Sequence, residues 1–246
     1  MESEAQAGFV ALVTGGASGI GREIALEYAA RGWGVLCHYH RCAQADDLVR
    51  DITSQGGFCR LIQADLTDPD QVQAMIESLR GVRVDALVNN AGSYIVPKHY
   101  NQLKHEDLVR IFQLNVFAPT LLSVELFEGM CSRKFGRIVN ISSVAAKYGG
   151  SATSLLYGLT KRALEGLTLT LGKEGAASNV FVNTIRPGVV DTAFHDKFPK
   201  DMTARVSVIP AGRMARPQEV AKLAVFLGSQ ENTFITRECV AVAGGE

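Results

Sequence analysis

The fold of this chain is decided near its start, where residues 9–21 read FVALVTGGASGIG. Phe9–Thr14 predicts a buried strand, because a short apolar run without alternation is typical of a strand covered on both faces. Arg22–Arg31 has the amphipathic pattern of a helix. The glycines between them permit a sharp turn and let the backbone approach a pyrophosphate, whose charge a helix N-terminus stabilises. The predicted phosphate site comprises Gly15, Ser18, Gly19, Ile20 and Gly21. A plain strand-to-helix turn is the alternative, since such motifs also occur without a ligand.

Strands and helices alternate along the rest of the chain, which predicts right-handed crossovers and a parallel sheet. The further strands predicted are Val35–Tyr39, Leu61–Ala64, Ala86–Asn89, Arg137–Ser142, Val180–Arg186 and Cys239–Val242. The further helices predicted are Ala43–Gln55, Asp68–Leu79, His105–Met130, Leu156–Ala176 and Pro217–Ser229. No linker, repeat or low-complexity tract divides residues 1–246, so we expect one doubly wound α/β domain. The aperiodic stretch Asp191–Arg216 predicts a mobile lid, because so long a loop in a compact domain is usually functional.

Charge and cysteine usage exclude several classes of partner. The chain has 25 basic and 25 acidic side chains, without the basic excess of a nucleic-acid or membrane-surface protein. Its five cysteines are scattered, and neither a CxxC pair nor a metal-binding spacing is present, so we expect reduced thiols and no metal. Cys37 and Cys239 lie in strand-like runs and are expected in the core. Glu2 and Glu4 stand where a signal peptide needs basic residues, and no apolar stretch approaches the ~20 residues of a membrane span, so we expect a cytoplasmic protein.

The end of the second predicted strand bears on cofactor choice. An acid about twenty residues after the glycine motif would bind the ribose 2′-hydroxyl of NAD. Tyr39 occupies that place, followed by His40 and Arg41, and no carboxylate follows until Asp46. Since an arginine can pair with a 2′-phosphate, the sequence favours NADP(H) over NAD(H). The alternative is that Arg41 only caps a solvated turn and that either cofactor binds.

A tyrosine and a lysine predict an acid/base pair. Tyr157 and Lys161 are four residues apart on a predicted helix and therefore share a face. A phenol with a pKa of about 10 needs a shift of about 3 pKa units, or about 4 kcal/mol, to exchange protons at neutral pH. One ammonium at about 4 Å supplies that much at an effective dielectric constant of about 20. We therefore expect Lys161 to lower the pKa of Tyr157.

Two polar residues complete the predicted catalytic end. Ser143 follows the fifth predicted strand, at the sheet edge where ligands of parallel α/β sheets bind, and can hold a carbonyl oxygen beside the phenol. Asn115 lies within the long predicted helix, where leucine or alanine would propagate better. It is either a solvated helix position or a buried amide within a hydrogen-bond network, and the spacing does not choose between them.

With these residues identified, the chain resembles the short-chain dehydrogenase/reductase family over its whole length. The ordered motifs that carry the resemblance are Thr14-Gly15 to Gly19-Ile20-Gly21, Asp65-Leu66, Asn89-Asn90-Ala91-Gly92, Asn115, Ser143, Tyr157/Lys161 and Pro187-Gly188 with Thr192. Val190, between the last two, is expected among the cofactor-binding residues. The resemblance implies a seven-stranded Rossmann sheet and a homodimer or homotetramer assembled through the two long helices.

The resemblance also implies a role for each matching residue. Tyr157 would be the acid/base, Ser143 would orient the substrate oxygen, and Lys161 would bind the nicotinamide ribose and lower the tyrosine pKa. Asn115 would hold a water of the proton relay. Asp65 would meet the adenine amino group, and the Asn89–Gly92 stretch would support the sheet beside the cofactor. Thr192 would contact the nicotinamide carboxamide or the phosphates.

The chain differs in three respects from the sequence patterns of the family and of two of its subgroups. Ser143 and Tyr157 are fourteen residues apart, where thirteen is commoner, which places the shape of the intervening loop in doubt. The run His38-Tyr39-His40-Arg41 is similar to that of pteridine reductases, but those usually carry an arginine in the glycine motif and an aspartate in place of Ser143. The chain also resembles 3-oxoacyl-[acyl-carrier-protein] reductases, but Ser178-Asn179 stand where those often have a basic residue that docks the carrier protein.

These patterns leave three functional hypotheses. The leading one is an NADP-dependent enzyme that interconverts a ketone and a secondary alcohol of a small molecule. An NAD-linked sugar or polyol dehydrogenase is the alternative within the enzyme class. A non-catalytic nucleotide sensor is disfavoured, because such a protein would normally lack one of the serine, tyrosine and lysine. The predicted substrate walls, Val144–Leu156 and the lid, contain no charge cluster that names a ligand.

Overall fold

The centre of the molecule is a seven-stranded sheet in which every neighbouring pair of strands is parallel. The computed structural model describes residues 8–41, 43–194 and 201–246. The strands are β1 Val10–Val13, β2 Gly34–Tyr39, β3 Cys59–Gln63, β4 Ala86–Asn89, β5 Gly136–Ile141, β6 Val180–Pro187 and β7 Cys239–Val242. Their order, β3-β2-β1-β4-β5-β6-β7, reverses direction between β1 and β4, which opens a crevice at the carboxyl ends of those strands. The predicted doubly wound parallel sheet is confirmed.

Helices cover both faces of this sheet. The α-helices in the described ranges are α1 Gly19–Ala30, α2 Ala45–Thr53, α3 Pro69–Leu79, α4 His105–Phe112, α5 Ala118–Ser132, α6 Ala145–Tyr148, α7 Leu155–Gly175, α8 Met202–Ser207 and α9 Pro217–Leu227. Alternate residues of one strand enter different cores, since successive side chains point to opposite faces. Ala11 and Val13 pack with α1, α2 and α9, whereas Val10 and Leu12 pack with α3 and α5.

The long helix predicted over His105–Met130 is interrupted. A π-helical turn, Gln113–Phe117, joins α4 to α5, and α5 continues to Ser132. A π turn adds a residue to one helical turn and re-aims the side chains around it, and such turns are frequent at functional sites. The periodicity of the sequence identified the helix but not this extra residue. By length and composition His105–Ser132 could cross a membrane, although helices packed within soluble proteins meet the same criteria.

The predicted lid and cysteine positions are partly corrected. Asp191–Arg216 is not wholly irregular, because it contains helix α8, and its residues 195–200 lie outside the described ranges. The short helix α6 was not predicted either. Cys37 is fully buried as expected, but Cys239 is only partly buried, since it lies on the edge strand β7.

Candidate active site

A cleft of about 1140 Å³ lies at the carboxyl-terminal edge of the sheet, above the reversal of strand order. The predicted site residues that line it are Gly15, Ser18, Gly19, Ile20, His40, Asp65, Leu66, Asn90, Ala91, Gly92, Ser143, Tyr157, Lys161, Pro187, Gly188, Val190 and Thr192. Three predicted residues, Gly21, Arg41 and Asn115, are described but do not line the cleft. The fold therefore brings both halves of the predicted site, distant in sequence, to a single cleft.

The turn between β1 and α1 requires its glycines. Gly15 and Gly19 adopt φ of +61° and +51°, the left-handed region that side chains disfavour. A Cβ on Gly21 would lie 2.2 Å from the Gly15 carbonyl oxygen, so this glycine acts through close packing of the turn. Ser18, the N-cap of α1, makes no side-chain cap hydrogen bond. A turn of bare backbone beside a helix N-terminus fits the pyrophosphate of a dinucleotide.

The buried His38 side chain forms a hydrogen bond with the glycine turn, a role that the sequence did not predict. Its Nδ1 accepts a hydrogen bond from the Gly15 N–H at 3.1 Å, so its proton is on Nε2, which donates to the Ala64 carbonyl oxygen at 3.1 Å. Burial lowers the pKa of His38 to about 4, and the ring is therefore neutral at neutral pH. The histidine was visible in the sequence, but its contact with Gly15 depends on the pairing of β1 with β2.

The Asn89–Gly92 stretch holds the turn from the other side. The Asn90 side chain donates to the carbonyl oxygens of Thr14 at 2.9 Å and Gly15 at 3.2 Å. In return, the Thr14 hydroxyl accepts the backbone N–H groups of Asn90 and Ala91, both at 3.0 Å. Asn89 is buried and donates to the Asn140 side chain on neighbouring β5 at 2.8 Å. These bonds explain in physical terms why polar residues follow β4.

The end of β2 faces a carboxylate that lies more than twenty residues further along the sequence. Asp65 Oδ2 lies 3.4 Å from His40 Nε2, because β2 pairs with β3 and the residue that follows β3 meets the end of β2. Burial alone would raise the pKa of Asp65, but hydrogen bonds from Thr67 and the nearby His40 and Arg41 outweigh it and hold the pKa below its usual value. Arg41 is exposed and approaches this corner without lining the cleft.

Ser143, Tyr157 and Lys161 meet at the opposite end of the cleft. The Ser143 hydroxyl hydrogen-bonds with the phenol, and its Oγ also accepts the Ala145 N–H at 3.1 Å. Lys161 Nζ donates to the Ile141 carbonyl oxygen at 2.8 Å and lies 5.7 Å from the centre of the Tyr157 ring. Because α7 carries the tyrosine and lysine one turn apart, both side chains face the end of β5.

Burial governs the pKa values of this pair. It raises the pKa of Tyr157 to about 12, with the Ser143 hydrogen bond acting in the opposite direction, and it lowers the pKa of Lys161 to about 8. The expected lowering of the phenol pKa by Lys161 is wrong for this structure. The physical reason is that the lysine amine is directed to the Ile141 carbonyl, while the phenol loses solvation. The tyrosine is thus protonated at neutral pH.

Asn115 is a buried amide, which decides the question that its spacing left open. It lies in the π turn, where its Nδ2 donates to the Ser93 carbonyl oxygen at 3.1 Å and to Thr160 Oγ1 at 3.0 Å. Its Oδ1 accepts the Ser93 N–H at 3.0 Å. A Cβ on Gly92 would lie 2.8 Å from Lys161 Nζ and 3.2 Å from Asn115 Oδ1. Asn115 therefore lies near Lys161 but does not line the cleft.

The turn after β6 forms the remaining wall. The Gly188 N–H donates to the Val242 carbonyl oxygen at 3.0 Å, and Pro187 accepts the Val144 N–H at 3.0 Å. Val190 then forms a parallel bridge with Ala215. Thr192, two residues on, faces the glycine turn, since a Cβ on Gly19 would lie 3.4 Å from its methyl group. This loop thus spans the cleft from the end that holds Ser143, Tyr157 and Lys161 to the glycine turn.

Comparisons with known proteins agree with this arrangement. A family model described as enoyl-(acyl carrier protein) reductase matches residues 15–246. The chain is 35% identical over 241 residues to an uncharacterized oxidoreductase of Bacillus subtilis, covering 96% of this chain and 97% of the relative. It is 32% identical over 245 residues to the 3-oxoacyl-[acyl-carrier-protein] reductase of Thermotoga maritima, covering 97% of each.

A solved structure extends the likeness to the whole fold. The 3-oxoacyl (acyl-carrier-protein) reductase of Agrobacterium tumefaciens with NADP bound is similar at a TM-score of 0.89 and 29% identity, covering 100% of this chain and 96% of that one. The seven-stranded parallel sheet and the extent of these matches lead to one conclusion. The chain belongs to the short-chain dehydrogenase/reductase family and is an oxidoreductase of that family.

Proposed function

We propose that this protein is an NADP(H)-dependent oxidoreductase that interconverts a ketone and a secondary alcohol, with Tyr157 as the general acid/base. The observation that carries the proposal is the meeting of Ser143, Tyr157 and Lys161 at one end of a cleft whose other end is the glycine turn. A small-molecule carbonyl compound or alcohol is the proposed substrate. Tyr94, Tyr148 and Phe194 line its end of the cleft and offer an apolar surface.

The proposed chemistry assigns a separate task to each side chain. When bound, the nicotinamide cofactor supplies or accepts the hydride. In the direction of reduction, the Tyr157 phenol donates its proton to the carbonyl oxygen, and its high pKa ensures that the proton is present. The Ser143 hydroxyl, already hydrogen-bonded to the phenol, orients that oxygen beside it. In oxidation the same phenol oxygen takes the proton back, as microscopic reversibility requires.

Lys161 resupplies the proton in this proposal. Its pKa of about 8 leaves it mostly protonated at neutral pH yet able to release a proton at modest cost. In this proposal the same amine also binds the nicotinamide ribose. Asn115 keeps a water of the relay next to the amine in this proposal, which is supported by the closeness of both Asn115 Oδ1 and Lys161 Nζ to Gly92.

The proposed preference for NADP(H) rests on the end of β2. His40 lines the cleft there, Arg41 stands next to it, and a 2′-phosphate would receive charge-assisted hydrogen bonds from both. The NADP-bound relative from Agrobacterium tumefaciens supports the same choice. Asp65 would contact the adenine amino group, with Leu66 beside it in the cleft wall. The phosphate groups would lie against Gly15, Ser18, Gly19 and Ile20.

An NAD-linked sugar or polyol dehydrogenase is the second candidate. One observation favours it, because the Asp65 carboxylate near His40 can accept hydrogen bonds from ribose hydroxyls and repels a phosphate. A non-catalytic sensor with this fold would show cofactor binding without turnover. Initial rates with a panel of ketones and alcohols, each measured with NADPH, NADH and their oxidised forms, separate the three hypotheses. Absence of turnover with every pair would contradict both enzymatic candidates.

We also propose a homodimer or homotetramer located in the cytoplasm. Its contact surface would be formed by the exposed apolar side chains of the two long helices, among them Leu121 and Val124 on α5 and Leu159 and Leu169 on α7. Burial of such a surface drives association. Light scattering coupled to size-exclusion chromatography measures the mass directly, and a monomer at micromolar concentration would contradict the proposal.

A further inference from the structure

A buried carboxylate lies directly behind the proposed catalytic residues. Glu165, on α7 one turn after Lys161, is 5% exposed. Arg186 donates to both of its oxygens, through Nε at 2.6 Å and Nη2 at 2.7 Å. The Ser142 hydroxyl donates to it at 2.9 Å, and Arg162 reaches it from the solvent side at 3.2 Å. Each oxygen of this carboxylate therefore accepts two hydrogen bonds. Such full pairing is the condition for burying an ion pair without a large cost.

Each partner of Glu165 adjoins a residue of the proposed site. Ser142 directly precedes Ser143, and Arg186 directly precedes the Pro187–Gly188 turn. Ser142 Oγ also lies 3.3 Å from the Lys161 carbonyl oxygen. The residue that follows β5 therefore contacts α7 at Lys161 as well, one turn before Glu165. One carboxylate thus joins the end of β5, the end of β6 and the face of α7. These three elements carry Ser143, the Pro187–Gly188 turn and the Tyr157/Lys161 pair, respectively.

We propose that Glu165 is a positioning residue, which sets Lys161 and Ser143 at the distance and orientation that proton transfer to the substrate requires. This inference rests on the proposed function of the same site. Glu165 touches neither the cleft nor the reacting groups, since it is absent from the described lining, and it acts through Ser142 and the backbone of α7. Apolar packing alone could fasten α7 to the sheet, but it lacks the directional preference of a bidentate guanidinium–carboxylate contact.

Charge and burial distinguish the two arginines that reach Glu165. The Arg186 side chain is 17% exposed, and that of Arg162 is 66% exposed. A solvent-exposed ion pair contributes little, whereas removal of one partner of a buried pair leaves an unpaired charge. Arg162 therefore serves as a matched control, because it contacts the same carboxylate without linking α7 to a strand.

The first test is a comparison of Glu165→Gln and Arg162→Gln with the wild type. Glu165→Gln preserves the shape of the side chain but loses the charge and one acceptor oxygen. We expect it to lower kcat about ten- to a hundredfold, the scale on which a small misplacement of reacting groups acts. The Kd of NADPH, measured by fluorescence titration, and the KM of the substrate should change far less, and Arg162→Gln should retain nearly full activity. A Glu165→Gln variant with wild-type kcat would overturn the proposal.

A second variant separates positioning from stability. Replacing a buried ion pair by apolar residues of similar size often restores or raises stability. We therefore expect Glu165→Leu combined with Arg186→Leu to retain the wild-type Tm while its kcat stays low. If kcat recovers together with Tm, the ion pair acts only on stability and the positioning role is wrong.

Amide hydrogen exchange provides a readout that does not depend on turnover. Glu165→Gln should accelerate exchange at 142–145 and 186–190 while distant strands such as β2 exchange at the wild-type rate. If the wild type turns over no substrate, the proposed function fails. Hydrogen exchange then tests by itself whether Glu165 holds residues 142–145 and 186–190 in place. Unchanged exchange in both segments would overturn it.

Discussion

The ring of His38 and the backbone of Gly15 form a direct contact beneath the glycine turn, with Nδ1 accepting the Gly15 N–H at 3.1 Å. His38→Ala leaves this N–H and the Ala64 carbonyl without their partner, and an unsatisfied buried group costs about 1–3 kcal/mol. We expect the Kd values of NADPH and NADH to rise together by about tenfold, measured by fluorescence titration. A loss confined to NADPH would instead show that His38 recognises the 2′-phosphate.

Arg41→Ala should separate the two cofactors. Hydrogen bonds to charged groups contribute about 1.5–3 kcal/mol each, so loss of one arginine–phosphate contact should cost about ten- to a hundredfold in NADPH affinity. NADH has no 2′-phosphate and should bind almost as before. The measurement is kcat/KM for both cofactors in the wild type and the variant. A wild type that prefers NADH, or an equal loss of both cofactors, would contradict the NADP assignment.

Tyr157→Phe should remove turnover and leave cofactor binding nearly intact. The phenolic oxygen acts only on the substrate oxygen in the proposed chemistry, and general acid/base catalysis contributes about 10²- to 10⁴-fold. We expect kcat to fall on that scale while the Kd of NADPH changes little. The aromatic ring is retained, so packing against Tyr94 should persist and the Tm should serve as a control. Wild-type turnover in this variant would refute the role of Tyr157.

The burial of Lys161 predicts a pH dependence of stability. Its folded pKa is about 8 and its ordinary value is 10.5, so the folded state disfavours the ammonium. Below a pH of about 8, Lys161 is protonated in both the folded and the unfolded protein, and folding carries the full cost of burying the ammonium. At about 1.4 kcal/mol for each pKa unit, this cost is roughly 3 kcal/mol. The penalty disappears as pH rises from about 8 to 10.5, because the unfolded state binds the extra proton there.

Lys161→Met tests this directly. Relative to the variant, the wild type should gain roughly 3 kcal/mol of unfolding free energy between neutral pH and pH 10.5, measured by urea denaturation. Other groups that titrate in this range contribute equally to both proteins, so they cancel in the difference of unfolding free energy. The loss of the contact with Ile141 shifts this difference by the same amount at every pH. Parallel stability curves across the whole range would contradict a depressed lysine pKa.

The predicted lid, Asp191–Arg216, should respond to the cofactor. Its helix α8 is fastened by an ion pair between Arg205 and Glu246, both at the cleft wall. Limited proteolysis should cleave this stretch more slowly with NADPH than without it, because closure of a lid protects its backbone. Arg205→Gln should increase cleavage in the absence of cofactor. Equal rates in both conditions would indicate a fixed loop.

The sequence by itself determined the fold and the position of most residues that line the cleft. Short apolar runs separated by helical patterns are decided by the period of hydrophobic residues, which is a local property. The glycine turn was predictable for the same reason, since Gly15 and Gly19 adopt backbone conformations that few other residues tolerate. Ser143, Tyr157 and Lys161 followed from their positions at strand ends and on one helix face.

Only the tertiary structure decided how these residues act on one another. Strand pairing brings Asp65 to His40 and His38 to Gly15, and neither contact is implied by sequence distance. The π turn that buries Asn115 cannot be predicted from the spacing of hydrophobic residues. The position of Asn115 in this turn depends on hydrogen bonds with Ser93 and Thr160, which are distant in sequence. The pKa of a side chain depends on solvation and on neighbours in space, which is why burial sets the pKa of Tyr157 and Lys161 in a way that their spacing alone did not predict.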